Sequence, residues 1–302
     1  MIATAGGLRT RPPAAYSPAD HVNVDVARTL DDALTLIAER PGAEVINGGT
    51  DLMVEINFGR KRPDAIVAID RIEEFRRLSV DRYVTMGAGV TFTTMLERDC
   101  GSVALREAAR TVGSPQIRNA ATIGGNVATS SPAGDALPVL MALDAYVELR
   151  SKDERRSVRF SEFMTGPKKN VRARNELVTR IGWEHAGPAQ VFMKVGTRNA
   201  MVIAVAGLAL VADRARKRVG IGLGSCGPVI LQALEAASFA EGLFDEAGWR
   251  PFVPSDPACA EFGAKVAAAA RPIDDVRGTA AYRRYVLAVM GARALARVAR
   301  IA

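Results

Sequence analysis

Metal-binding side chains are scarce in this sequence, with three cysteines and two histidines among 302 residues. Cys100, Cys226 and Cys259 lie far apart, are odd in number and form no Cys-x-x-Cys. That excludes the ligand spacing of zinc and iron–sulfur sites within the chain. With His21 and His185 as the only histidines, the chemistry has to come from an organic cofactor or from a partner. Scattered cysteine fits a cytoplasmic, reducing compartment. No apolar run is long enough to span a bilayer, and the longest candidate, residues 200–212, falls short. The N-terminus shows no apolar core followed by a cleavage site, so no export signal is legible. The formal charge is +7, but no single block of Lys and Arg carries it. The richest stretch, Arg214, Arg216, Lys217 and Arg218, is read as a hairpin tip and has no nucleic-acid-binding motif beside it. A solvated turn is one reading of it. A basic face for a negatively charged subunit or cofactor is the other.

What is present is ordinary globular composition, 48% apolar and 24% charged, in a chain too long for one small core. Residues 1–25 are rich in Pro, Ala and Gly and are expected to form an arm. From Val26 the text alternates. Residues 29–38 have helical spacing with Thr29 or Asp31 as N-cap, and Pro41-Gly42 stops them. Residues 45–47, 65–69 and 83–88 are predicted strands. Residues 91–98 and 105–112 are predicted helices, and residues 145–150 and 177–183 further strands. This is the pattern of mixed α/β packing. A boundary is placed near Gly187-Pro188. Beyond it, residues 190–195, 203–212 and 218–223 predict a three-stranded antiparallel sheet, the last two strands joined by a charged hairpin. Residues 231–237, 257–270 and 279–302 predict helices behind it.

Two glycine pairs follow apolar β-formers and precede small polar residues: Gly48-Gly49 in Val45-Ile46-Asn47-Gly48-Gly49-Thr50-Asp51-Leu52, and Gly124-Gly125 in Ala121-Thr122-Ile123-Gly124-Gly125-Asn126. Glycine lets main-chain N–H groups approach a phosphate and turn into one anion-binding concavity. Two such loops point to a ligand with two phosphates, a dinucleotide. Either pair, standing alone, is equally a tight turn. Neither lies in a Gly-x-Gly-x-x-Gly string running into a helix, which argues against a Rossmann domain.

These two segments, followed by Ser131-Pro132-Ala133-Gly134-Asp135, Phe192-Met193-Lys194-Val195-Gly196-Thr197-Arg198 and Pro272-Ile273-Asp274-Asp275-Val276-Arg277-Gly278-Thr279-Ala280-Ala281-Tyr282-Arg283, resemble the FAD-binding medium subunit of molybdenum hydroxylases. That family includes xanthine dehydrogenase and carbon monoxide dehydrogenase. The wording around Gly48 and Asp274 is most similar to xanthine-dehydrogenase-type subunits. Five segments in order are far more specific than a lone Gly-Gly-Thr.

The resemblance implies an α+β chain. An FAD-binding domain of the vanillyl-alcohol-oxidase-like (PCMH-type) fold would occupy residues 26–187, as two α/β subdomains split near residue 80. A C-terminal α+β domain would occupy residues 188–302. It implies that Asn47, Gly48, Gly49, Thr50 and Asp51 wrap the pyrophosphate, with Val45, Ile46 and Leu52 beside and beneath. Thr122, Ile123, Gly124, Gly125 and Asn126 would hold the pyrophosphate and ribityl side. Gly113, Leu177 and Val178 would lie against the adenine or isoalloxazine. Asp135 would accept from ribose or ribityl hydroxyls, and Lys194 would approach the flavin. Bland readings stand beside these: Asp135 as a helix N-terminal charge, Lys194 as a solvated edge residue, Arg277, Tyr282 and Arg283 as domain glue, Arg198 as structural or as a contact to a partner or NAD.

By the same resemblance the chain is an oxidoreductase subunit with no catalytic side chain and no metal of its own. FAD would take electrons from the 2Fe-2S clusters of a small partner subunit and pass them to NAD+ or another acceptor. Molybdopterin would sit in a large partner subunit, the whole forming a dimer of heterotrimers. Two alternatives stay open: a self-sufficient FAD-dependent oxidoreductase with its own substrate pocket, for which the C-terminal third offers no polar catalytic set, and a non-enzymatic nucleotide-binding scaffold.

Overall fold

The computed structural model describes residues 22–302. His21 and the residues before it, most of the expected arm, lie outside that range. The arm's last residues are strand instead: Asn23–Val26 (β1) pairs in parallel with Ala65–Ala68 (β3), which pairs in parallel with Glu44–Ile46 (β2). The alternation Val24-Asp25-Val26 is too short to stand out beside Pro- and Ala-rich text. Helix α1 (Leu30–Glu39) starts at a capping box. Thr29 accepts from the Asp32 amide and Asp32 accepts from the Thr29 amide, satisfying two of the donors a helix start leaves free. Its apolar stripe, Leu30, Ala33, Leu34 and Ile37, is buried. Helix α2 (Leu52–Asn57) follows the first glycine pair and buries none of its side chains completely.

The second sheet is antiparallel throughout. Its order is β4 (Leu78–Val80), β5 (Tyr83–Gly87), β10 (Leu177–Glu184), β6 (Tyr146–Arg150), β7 (Arg155–Arg159). Between β5 and β6 the chain makes five helices: α3 (Phe92–Glu97), α4 (Val103–Thr111), α5 (Pro115–Ala120), α6 (Ile123–Thr129) and α7 (Ala136–Ala142). After β7 come α8 (Phe160–Phe163) and a small hairpin of β8 (Met164–Gly166) and β9 (Lys169–Asn170). Trp183, Phe92, Phe160, Phe163, Met86 and Ile123 fill the core.

The third sheet runs β11 (Gln190–Val195), β12 (Ala206–Asp213), β13 (Arg218–Gly224), β14 (Leu231–Gln232), all neighbours antiparallel. The three long strands are those expected. The two-residue β14 is an addition, taking the start of a segment expected to be helical. Helices α9 (Leu234–Glu246), α10 (Asp256–Ala269) and α11 (Ala280–Val298) cover this sheet around a second core containing Phe244, Phe262, Leu287 and Leu295. Among the described residues no helix is long and apolar enough to cross a membrane.

Helix α7 lies between the two cores, with all seven of its residues buried. It rests on β13 through glycines. A Cβ on Gly220 would come within 1.9 Å of the Ala142 carbonyl oxygen, and one on Gly222 within 2.0 Å of the Pro138 oxygen. The main chains therefore touch directly, and this contact places Asp135, just before α7, over strand β11.

Candidate functional site

The first glycine pair occupies the turn leaving the carboxyl end of β2. Gly49 has φ +69°, a left-handed conformation that glycine adopts without steric cost. The amides of residues 47–51 donate to no acceptor among the described residues. Gly48 presses on the second segment: a Cβ there would lie 1.7 Å from the Ala120 carbonyl oxygen. The two glycine segments are thus neighbours.

The second pair is not a loop. It is the first turn of α6, capped by Thr122, whose hydroxyl accepts from the Gly125 amide at 3.1 Å. Its amides are also engaged. Ile123 donates to the Val90 oxygen and Gly124 to the Ala88 oxygen, each at 2.9 Å, and Asn126 donates to the Thr122 oxygen at 3.0 Å. The expectation of bare amides from both bends is therefore corrected: the first supplies them, and the second supplies shape. Gly124 is locked against the chain, since a Cβ would lie 2.4 Å from the Ala88 Cβ. Gly125 faces open space, where a Cβ would meet only the Thr122 hydroxyl within 4 Å, at 3.2 Å. Beside it, Asn126 Oδ1 is buried with no hydrogen-bond partner among the described residues. Such an atom calls for a donor. Gly134 adjoins the same side chain, its ideal Cβ position being 3.2 Å from Asn126 Nδ2.

Asp135 and Lys194 come together as a buried ion pair at 2.5 Å, with side chains 6% and 8% exposed. The Thr111 hydroxyl donates to the same carboxylate oxygen at 2.9 Å, and Lys194 Nζ donates to the Thr111 carbonyl at 3.2 Å. Burial pushes the Asp135 carboxyl upward, and Lys194 opposes that rise by charge and hydrogen bond. The carboxylate read as a sugar acceptor and the cation read as a flavin neighbour thus satisfy each other, across the two cores.

Gly113 sits two residues beyond Thr111 with φ +44°, and Arg118 donates to its carbonyl at 3.0 Å. Leu177 and Val178 open β10 inside the first core, 3% and 5% exposed. The next residue, Thr179, accepts from the Ala88 amide at 3.0 Å, which sets this end of β10 behind Ala88 and Gly124. Val45, Ile46, Thr50 and Leu52 are half-buried around the first turn, and Asp51 is exposed.

Two residues were not singled out by sequence reasoning. Thr111 is the last residue of α4, and nothing local marks it. Lys168, at the tip of the β8–β9 hairpin, reaches Glu55 at 2.8 Å and Asp51 at 3.6 Å. Its ammonium is held in the charged form first by the hydrogen bond to Glu55. The turn-forming Gly166-Pro167-Lys168-Lys169-Asn170 string was the available signal.

Unpaired amides at one turn, a cradle that a side chain on Gly125 would enter and a lone buried acceptor fit a molecule with phosphate at one end and hydroxyls at the other. The class so defined is a dinucleotide-binding protein. Residues 20–182 match the family described as "FAD binding domain in molybdopterin dehydrogenase". The nicotinate dehydrogenase FAD-subunit of Eubacterium barkeri is 35% identical over 191 residues, covering 60% of this chain and 64% of that subunit. The putative xanthine dehydrogenase FAD-binding subunit of Escherichia coli (strain K12) is 32% identical over 200 residues, covering 63% of this chain and 68% of that subunit. A chain of carbon monoxide dehydrogenase from Hydrogenophaga pseudoflava shares the fold, with TM-score 0.81 and 24% identity over 93% of this chain and 98% of that one. The chain belongs to the FAD-binding family of the molybdopterin dehydrogenases and is an oxidoreductase subunit with an FAD-binding domain.

Proposed function

We propose that this chain carries FAD between two partners: the 2Fe-2S clusters of a small subunit, themselves fed by a large molybdopterin subunit, and NAD+ or another soluble acceptor. The assembly would be a dimer of heterotrimers. The observation that supports this reading best is the run of unpartnered amides at residues 47–51 set directly against the Gly124-Gly125 segment. Bound FAD would supply the conversion between one-electron and two-electron transfer.

The chain's own residues bind and orient. Amides of residues 47–51 and the Thr50 hydroxyl would hold the pyrophosphate as donors. Asn126 Oδ1 would accept from a hydroxyl of the ribityl chain. Gly125 keeps the path clear, and Gly113, Leu177 and Val178 wall the ring systems. Lys194, neutralised by Asp135, keeps β11 closed over the site. No acid or base is required of this chain.

The test is purification of the intact complex. One FAD per chain, absorbance at about 450 nm, co-purifying iron and molybdenum, and bleaching by NADH without oxygen are the expected results. A chain that purifies alone and turns over an organic substrate would support the self-sufficient oxidoreductase. A colourless chain would overturn the flavin site itself.

A further inference from the structure

Helix α11 buries one side against α10, β11 and β12. Its outer stripe, Tyr282, Tyr285, Val289, Arg293 and Ala296, has steps of three and four residues and so forms one face, roughly 21 Å long at the helical rise, and Arg300 follows in the turn just past the helix end. Its two ends differ. Tyr282 and Tyr285 are 46% and 68% exposed. At the other end, Arg293, Ala296, Arg297, Arg300 and Ile301 line a shallow concavity of about 440 Å³.

The aromatic end is extended by a fixed apolar tip in which Ile273 and Val276 are 70% and 101% exposed. Buried Arg283 holds that tip. It donates to Asp275 at 2.6 Å, to the Val205 carbonyl at 2.9 Å and to the Ser225 carbonyl at 2.7 Å. Asp275 also pairs with Arg277 at 3.0 Å. A surface ordered in advance loses little freedom on association.

Charge identifies the occupant. Arg297 pairs with Glu107, whereas Arg293 and Arg300 meet no carboxylate among the described residues. No acidic side chain stands on the stripe. A second copy pairing through this same face would bring none to it, and arginines desolvated without counter-charges are costly. Tyr and Arg without Lys is the composition of a protein interface.

We propose that the outer face of α11, with the 273–276 tip, docks a different polypeptide. That chain presents carboxylates to Arg293 and Arg300 and aliphatic side chains to Tyr282 and Tyr285. The assignment is independent of the flavin site.

The test uses the complex purified from its source through a tag on this chain. Arg293→Lys and Arg300→Lys keep the charge and add amines that a carbodiimide couples to touching carboxylates. Cross-links from these positions to an Asp or Glu of another chain, absent in wild type, are expected. Arg293→Glu/Arg300→Glu is expected to raise that chain's dissociation constant about 30-fold or more, less at high salt, with melting temperature and flavin content unchanged. The proposal is overturned by cross-links confined to this chain or a second copy, by their absence in an intact complex, by a chain that purifies alone, or by an unaltered dissociation constant. It is equally overturned if wild type binds phosphatidylserine vesicles and the charge reversal abolishes that binding.

Discussion

A Cβ on Gly48 would sit 1.7 Å from the Ala120 carbonyl oxygen, whereas one on Gly125 would meet only a hydroxyl, at 3.2 Å. Gly48→Ala must therefore push two main chains apart, costing on the order of 1–3 kcal/mol, and FAD affinity falls with it. Gly125→Ala is expected to leave apoprotein stability within about 1 kcal/mol of wild type, since alanine favours a helix, while weakening FAD at least about tenfold. Chemical denaturation and flavin titration of both variants check the contrast, and equal FAD affinity in Gly125→Ala and wild type would remove Gly125 from the site. Lys194 carries a second prediction. Lys194→Met leaves Asp135 buried without its cation, which costs about 3–5 kcal/mol at neutral pH. Burial raises the folded-state pKa of Asp135, so its protonated form is the one folding favours. The penalty is absent below the unfolded value of about 3.9, grows as pH rises from there, and is complete above the folded value. Denaturation of Lys194→Met at acid and neutral pH should show this shrinking toward acid, and Asp135→Asn/Lys194→Met should recover most of the loss. The glycine pairs were legible from type and spacing alone. Which amides were free was not, because the acceptors for Ile123 and Gly124 are Val90 and Ala88, more than thirty residues upstream.

Elements with strong periodicity were the legible ones: α1 with its cap, α11, and the β12–β13 hairpin fell where their patterns put them. Helix α6 was not, because glycine is a poor helix former and its seven residues are held by contacts to β5's exit and to Thr122 rather than by propensity. Helix α2 and β14 were not legible either, because six residues and two residues leave no periodic trace. The contact between α7 and β13 is a relation between elements that no local pattern shows. Gly222→Ala tests it. A methyl group 2.0 Å from the Pro138 oxygen forces α7 off the sheet at a cost of about 1–3 kcal/mol. Because Asp135 directly precedes α7, FAD affinity should fall as well, with no change made inside the site. Thermal melting with and without FAD measures both effects, and a variant destabilised with unaltered FAD affinity would separate α7 from the positioning of Asp135.

The family match ends at residue 182, yet the molecule is not closed there. Several polar contacts tie the C-terminal residues to the first core. Ser102 donates to Gln190 at 2.5 Å, Phe192 donates its amide to Glu107 at 2.8 Å, Arg297 pairs with Glu107, and Lys194 with Asp135. Helix α7 is apolar all round and buried, a helix that needs neighbours on every side. Removing residues 188–302 would expose its β13 face and leave Asp135 and Glu107 without their cations. A chain ending at residue 187 is therefore expected to be poorly soluble or loosely packed and to retain no FAD, although it contains almost every residue assigned to the site. Expression of that fragment, with circular dichroism in the near and far ultraviolet and flavin binding as readouts, decides the matter. A monomeric fragment with native-like near-ultraviolet signal and stoichiometric FAD would show that the C-terminal domain closes nothing. The expected failure would show that a flavin site built from N-terminal residues depends on a sheet beyond the family's own boundary.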